Sequence, residues 1–341
     1  MGARTSALVN TVRWTPSIGY LPDPWSRSYY PRQMAEMLHG ERLVFSGDSN
    51  TRNLATHLMR QLRAADPTAI PRVTACNRKL GHGCSDCYAS GCQGPIEHGM
   101  GAGRWIGLQQ TTKNFSAEFT WKPQIYTIDD AIYWSRVCLE RTIPSVVFLC
   151  KGAHDALFLS ERPELATRIS NGTLDRRKYH DHVKTSVTAL FDALRCLPNH
   201  TIIIWSAPLT VQPHKDMALD KVPLDVMNEM LDITRVVSLQ HCQKRGFLCV
   251  DGMNLTDRGM NGVSAPTADS HGGVHYSDRV WNVQLDLVFN AIRLKRHCRA
   301  ECRNPPSAGD CRVLSDKYKD DLTLNVTGGF APTKRVYCEA P

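Results

Sequence analysis

Four short apolar runs rich in β-branched residues punctuate the chain, at Arg42–Ser46, Pro144–Cys150, His200–Ser206 and Phe247–Val250. Runs of this length, apolar at successive positions, read as strands buried on both faces, the pattern of a parallel sheet. Segments with apolar residues at three- and four-residue spacing follow or separate them, over Arg52–Leu62, Leu174–Leu197, Leu224–Arg245 and Asp278–His297. In the last of these, Val280, Val283, Leu287, Ala291 and Leu294 fall on one helical face. The alternation predicts a three-layer α/β fold, a parallel sheet with helices on both faces.

Between the first two strands, residues 64–143 are rich in Gly, Cys and aromatics and show little periodicity, so they read as an insertion beside the site. The organisation expected is a lead-in over 1–36, one catalytic-sized domain over 37–297 and a cysteine-containing tail over 298–341, with no internal repeat. The length of 341 residues, with 42% hydrophobic and 22% charged, suits an ordinary globular protein with a sizeable core. No apolar run approaches the roughly 18 residues a membrane helix needs.

Thirteen cysteines and Asn-x-Ser/Thr sequons at Asn114, Asn171, Asn199, Asn254 and Asn325 point towards the secretory pathway or the cell exterior. The first 13 residues lack the apolar core of a signal peptide, although Met1-Gly2-Ala3-Arg4-Thr5-Ser6 loosely fits a myristoylation pattern. The expectation is therefore a lumenal or extracellular protein whose signal or anchor segment is absent from this chain, the alternative being a cytosolic protein with chance sequons. Cys76, Cys84, Cys87 and Cys92, with His82, form a dense cluster whose Cys84-Ser-Asp-Cys87 spacing is compatible with zinc, but an oxidising compartment favours disulfides. The odd total leaves a thiol unpaired, and Cys150 and Cys249, on predicted buried strands, are the natural free ones. The net charge of +8, with Arg293, Lys295, Arg296, Arg299 and Arg303 gathered near the end of the last helix, fits a helix C-terminus. No aromatics interleave as on a nucleic-acid platform, so no nucleic-acid partner is expected.

The most informative segment is Glu41-Arg-Leu-Val-Phe-Ser-Gly47-Asp48-Ser49-Asn50-Thr51-Arg52, where a buried strand runs into a tight turn and then a helix. In an open parallel sheet ligands bind beyond the carboxyl ends of the strands, which is where this turn lies. A serine at a helix N-terminus also gains an oxyanion donor from its own amide. Ser49 is the expected nucleophile. Serine needs a base and something to orient that base. His275, just before the final helix, is the candidate base, with His271 as a second choice.

These residues carry a resemblance. Trp14-Thr-Pro16 and Met37-Leu-His-Gly-Glu-Arg-Leu-Val-Phe-Ser-Gly-Asp-Ser49-Asn-Thr-Arg52-Asn53 resemble the PC-esterase branch of the SGNH/GDSL superfamily, as do Phe119-Thr-Trp121-Lys-Pro123, Gly152-Ala-His154-Asp155 and Gly273-Val-His275-Tyr-Ser277. That branch includes trichome-birefringence-like and Cas1-type glycan O-acetyltransferases. The resemblance implies an SGNH, flavodoxin-like fold, His275 as catalytic base and an acidic residue three positions before it. Here that position is Gly272, so Asp269 and, after a predicted strand, Asp251 are the orienting candidates, with a Ser–His dyad or an impaired site as alternatives. For the oxyanion and substrate, the resemblance and the local pattern single out Asp48, Arg52, Gly107, Gly152, His154 and Asp155.

The function expected is acyl-ester chemistry on a glycan, as O-acetyltransferase or O-acetylesterase through a Ser49 acyl-enzyme. The partner is an acetylated or acceptor glycan, with no cofactor, no metal and an unspecified acyl donor. The alternatives are a glycan-binding protein that keeps the fold without efficient catalysis, and a cytosolic thioesterase- or lipase-like hydrolase. Trp25, Tyr29, Tyr30, Trp105 and Trp121 are aromatics that could stack on sugars, though burial is their commoner use.

Overall fold

The computed structural model describes residues 29–65, 70–73, 105–110, 115–141, 143–157, 169–170, 173–198, 200–211, 223–256, 276 and 278–302. Helix α1 (Pro31–Met37) leads into strand β1 (Arg42–Gly47) and helix α2 (Ser49–Ala65). Strands β2 (Ile70–Val73), β3 (Trp105–Gln110) and β4 (Phe115–Trp121) precede helix α3 (Ile128–Leu139), strand β5 (Val146–Cys150) and the short helix α4 (Ala153–Leu157). A two-residue hairpin, β6 (Ile169–Ser170) and β7 (Thr173–Leu174), is followed by α5 (Arg176–Ala193) and β8 (Ile202–Ser206). The chain continues through α6 (Leu224–Arg245), β9 (Leu248–Val250), α7 (Gly252–Thr256) and α8 (Asp278–Cys302).

The main sheet runs in the order β2-β3-β4-β1-β5-β8-β9. Strands β4, β1, β5, β8 and β9 are mutually parallel, and β3 and β2 continue the β4 edge in antiparallel pairing. Taken in chain order, the five parallel strands lie as 2-1-3-4-5, the doubly wound flavodoxin-like arrangement. All four strands expected from the apolar runs are present, and the fifth, β4, comes from the stretch read as an insertion.

Alternate residues of β1, β5, β8 and β9 enter two cores, as the pleat requires, while β4 adds to one of them. Leu43, Phe45, Phe119, Phe148 and Ile204 pack beneath α1, α2 and α8. Val44, Val147, Leu149, Ile203 and Trp205 pack beneath α3, α5 and α6, where Trp134, Tyr179, Phe191 and Met230 complete the layer. Because β1 and β5 are covered on both faces and flanked on both edges, all of their residues are buried. The helix ends are locally coded. Asp175 caps α5 by accepting from the Lys178 amide, Thr127 and Asp130 form a reciprocal capping box on α3, and Gly246 ends α6 in the left-handed region at φ 67°.

Among the described residues, one disulfide joins two helical segments and another joins a helix to the sheet. Cys138 on α3 pairs with Cys196 just after α5, and Cys242 in the last turn of α6 pairs with Cys249 on β9. The second corrects the expectation that Cys249 is free: the tight turn at Gly246 brings two residues only seven apart to a Cα separation of 6.0 Å. Cys150 is free and buried. The cysteine cluster at 76–92 lies outside the described residues, as do the sequon asparagines Asn114, Asn171, Asn199 and Asn325, whereas Asn254 falls within α7. Helix α8 runs on to Cys302, past the expected end at His297. Arg296 from the basic group donates to the carbonyls of Met37 and His39 at the end of α1, and pairs with Glu41. Among the described residues, no helix is long and apolar enough to cross a membrane.

Candidate active site

In a 2-1-3-4-5 sheet the chain leaves β1 towards one edge and β5 towards the other, which opens a crevice beyond their carboxyl ends. Both loops bordering that crevice carry polar residues, Gly47-Asp48-Ser49 after β1 and Lys151-Gly152-Ala153-His154 after β5.

The first loop is held by close backbone approach. A Cβ on Gly47 would stand 2.1 Å from the Cys150 carbonyl oxygen and 2.3 Å from Thr51 Oγ1, so the residue must be glycine for β1 to turn against β5. The Thr51 hydroxyl donates to that same Cys150 carbonyl at 3.1 Å, tying the first turn of α2 to the end of β5. Asp48 caps α2, its Oδ1 accepting from the amides of Asn50 at 2.9 Å and Thr51 at 3.4 Å. Ser49 is the first residue of the helix and is only partly buried, above a fully packed floor.

Burial pushes the Asp48 carboxyl above its ordinary range, while the charge of His154, the two cap amides and Arg52 draw it partly back. Burial likewise raises the Cys150 thiol far above its usual value, so it is an inert apolar residue in the floor.

The second loop turns at Gly152, whose φ of 99° is reserved for glycine and whose missing Cβ would meet Ile125 Cγ1 at 2.9 Å and Thr234 Cγ2 at 3.0 Å. Its amide donates to the Pro123 carbonyl at 3.2 Å. Asp155 is fully buried and faces away from this work: Oδ2 accepts from the Ile125 amide at 2.8 Å and Oδ1 lies 3.4 Å from His182 Nε2. It therefore braces the loop instead of facing substrate. Lys151 and Asp130 form a fully buried ion pair beside it.

His154 projects from α4 against the edge of Trp121, with ring centroids 5.5 Å apart and planes at 86°. Arg52 lies over the same indole, its guanidinium carbon 5.9 Å from the ring centroid. Thus Asp48, Ser49, Arg52, Gly152 and His154 gather at one end of the sheet, and Trp121, expected only as a sugar-stacking or buried aromatic, stands between two of them. Gly107 does not join them. It pairs with Glu118, which pairs in turn with Val44, so it sits in mid-strand and two strands away from β1. Asp251 holds Arg235, with Oδ2 2.9 Å from Nη1, and is fully buried.

His275, His271, Gly272 and Asp269 lie outside the described residues. The residue after His275 is firmly placed: Tyr276 is fully buried, and its hydroxyl bonds the Thr210 carbonyl and lies 2.9 Å from the Thr210 hydroxyl, just beyond the carboxyl end of β8. Among the described residues, no group of three or more His, Cys, Asp or Glu is disposed to hold a metal ion.

No protein-family model matches the chain, and no curated protein matches it. Among solved structures it is similar to an alpha/beta hydrolase enzyme from the metagenome of Lake Arreo, Spain, at 14% identity and a TM-score of 0.38, covering 74% of this chain and 95% of that one. It is also similar to a catalytic mutant of an acetylxylan esterase from Geobacillus stearothermophilus, at 13% identity and a TM-score of 0.36, covering 74% and 94%. A peptidoglycan O-acetylesterase is similar at 12% identity and a TM-score of 0.36, covering 81% and 97%.

Proposed function

We propose that this protein transfers or hydrolyses an acyl ester, most simply an acetyl ester on a glycan, through a covalent Ser49 acyl-enzyme. The observation that carries the reading is the placement of Ser49, first residue of α2, at the carboxyl end of the central strand and opposite the Gly152–His154 loop. Ser49 Oγ attacks the ester carbonyl carbon and His275 takes its proton. The tetrahedral oxyanion is held by the Ser49 amide and a His154 ring N–H, while Gly152, whose amide donates to the Pro123 carbonyl, shapes the loop that presents His154. Collapse breaks the bond to the sugar oxygen, which leaves as the alcohol with the proton from His275. Water then attacks the acyl-serine to release the carboxylic acid, or an acceptor hydroxyl does so to form a new ester. Asp269 is the orienting acid in this scheme, since Asp251 is engaged with Arg235. Arg52 positions substrate. The closed Cys138–Cys196 and Cys242–Cys249 pairs support an oxidising location, lumenal or extracellular.

The test is labelling by a fluorophosphonate serine probe, together with acetate release from p-nitrophenyl acetate. Labelling and turnover are expected in the wild type and lost in both Ser49→Ala and His275→Ala. Gly272, where the resemblance expects an acid, favours a second reading, a glycan-binding protein with weak catalysis. Folded wild type that binds glycan yet takes no label at Ser49 would establish that reading instead.

A further inference from the structure

Arg52 and His154 come from different elements, α2 and α4, yet both rest on one ring. Trp121 ends β4 directly opposite Gly47 in the β1 register, and the next amide, Lys122 N–H, donates to the Gly47 carbonyl at 2.9 Å. The indole is thus anchored by backbone to the base of the Ser49 turn. It is braced behind by Phe119, with ring centroids 6.4 Å apart and planes at 76°. Its own contacts reach Arg52 at 5.9 Å and His154 at 5.5 Å. Both side chains also act electrostatically on the buried Asp48, next to Ser49 in sequence.

We propose that Trp121 is a positioning residue for the reaction at Ser49: it closes a collar of Asp48, His154, Trp121 and Arg52 around the nucleophile. This rests on the Ser49 reading. The indole face holds the Arg52 guanidinium by cation–π attraction, and its edge contact fixes the plane of the His154 ring. A contact with one rigid ring fixes the two side chains relative to each other, and misplacement of about 1 Å in a catalytic constellation is enough to slow a reaction strongly. A sugar-stacking Trp121 would instead leave turnover of p-nitrophenyl acetate, which carries no sugar, unchanged on substitution, and a merely structural one would change stability.

The experiment compares wild type with Trp121→Leu and Trp121→Tyr, using Trp121→Met in place of the leucine variant should that fail to fold. Three quantities are read: kcat and KM for p-nitrophenyl acetate, the fluorophosphonate labelling rate, and the imidazole resonance of His154, assigned by its loss in His154→Gln. The expected result is a fall in kcat and labelling rate of about 10- to 100-fold in the leucine or methionine variant, with KM within about three-fold, and recovery in the tyrosine variant. The His154 resonance moves in the apolar variant and returns in Trp121→Tyr. A change confined to KM, or a His154 resonance that stays in place, would overturn the positioning role. Absence of labelling in the wild type while the His154 resonance still responds would instead overturn the Ser49 reading, so the two failures are separable.

Discussion

At the scale of single residues, the site is shaped as much by missing side chains as by present ones. Gly47 has no room for a methyl group, because the nearest obstacle is a backbone carbonyl that cannot turn aside. Gly47→Ala should therefore lower stability by about 1–3 kcal/mol, in the range of overpacking, and reduce Ser49 labelling as well. Urea unfolding at neutral pH reads the first effect, and an unchanged midpoint would refute it. Gly152→Ala combines a positive φ with contacts to Ile125 and Thr234, and a comparable loss is expected. The Gly47-Asp48-Ser49 turn was legible in the sequence because a strand, a turn and a helix follow one another without a gap. The pairing of Cys249 was not. A half-cystine on a buried strand has the same apolar surroundings as a free thiol, and only the Gly246 turn reveals that Cys242 is within reach.

Among elements, the one parallel strand of the main sheet that periodicity missed is the one that carries Trp121. Phe115, Ala117, Phe119 and Trp121 do alternate with Ser116, Glu118 and Thr120, the period-two pattern of a strand with one less-covered face. The signal was hidden because β4 borders the antiparallel β3 and so lacks the continuous apolar run of its parallel neighbours. Helix α3 was hidden too, since Ile128, Ile132 and Leu139 expose apolar surface on its outer side and blur the amphipathic pattern. The disulfides rank the joints between elements. In the chain-entropy picture the Cys138–Cys196 bridge, closing a separation of 58 residues, contributes about 4 kcal/mol, whereas Cys242–Cys249, closing 7, contributes about 2. Cys138→Ser/Cys196→Ser should accordingly lower the unfolding free energy by about twice as much as Cys242→Ser/Cys249→Ser. Equal losses measured by urea titration would mean that native packing, not loop closure, sets the contribution.

Across the whole molecule, the crevice carries an electrostatic cost that pH can expose. The Asp48 carboxyl ionises less readily in the fold than its ordinary value of 3.8. The folded protein then binds this proton more tightly than the unfolded chain does. Below the ordinary value the group adds no penalty. As pH rises towards the raised folded value its contribution becomes unfavourable, and above that value the whole penalty persists. Asp48→Asn retains a good helix cap and removes the charge. Its unfolding midpoint should exceed that of wild type at pH 8, with the gap closing towards pH 4, while labelling of Ser49 falls because His154 loses its anionic neighbour. A gap that is constant across this range would refute the linkage.

The topology also fixes an order of events during synthesis. Strand β1 leaves the ribosome before either of its neighbours exists, since Arg42 must await Ser116 on one side and Leu43 must await Val146 on the other. At about 5–20 residues per second that wait lasts several seconds, during which a strand that ends fully buried has no partner. His275 is translated later still, well after β8. Ser49 is therefore made long before the base proposed to activate it, so the acyl chemistry proposed for this turn waits on residues added well after β8.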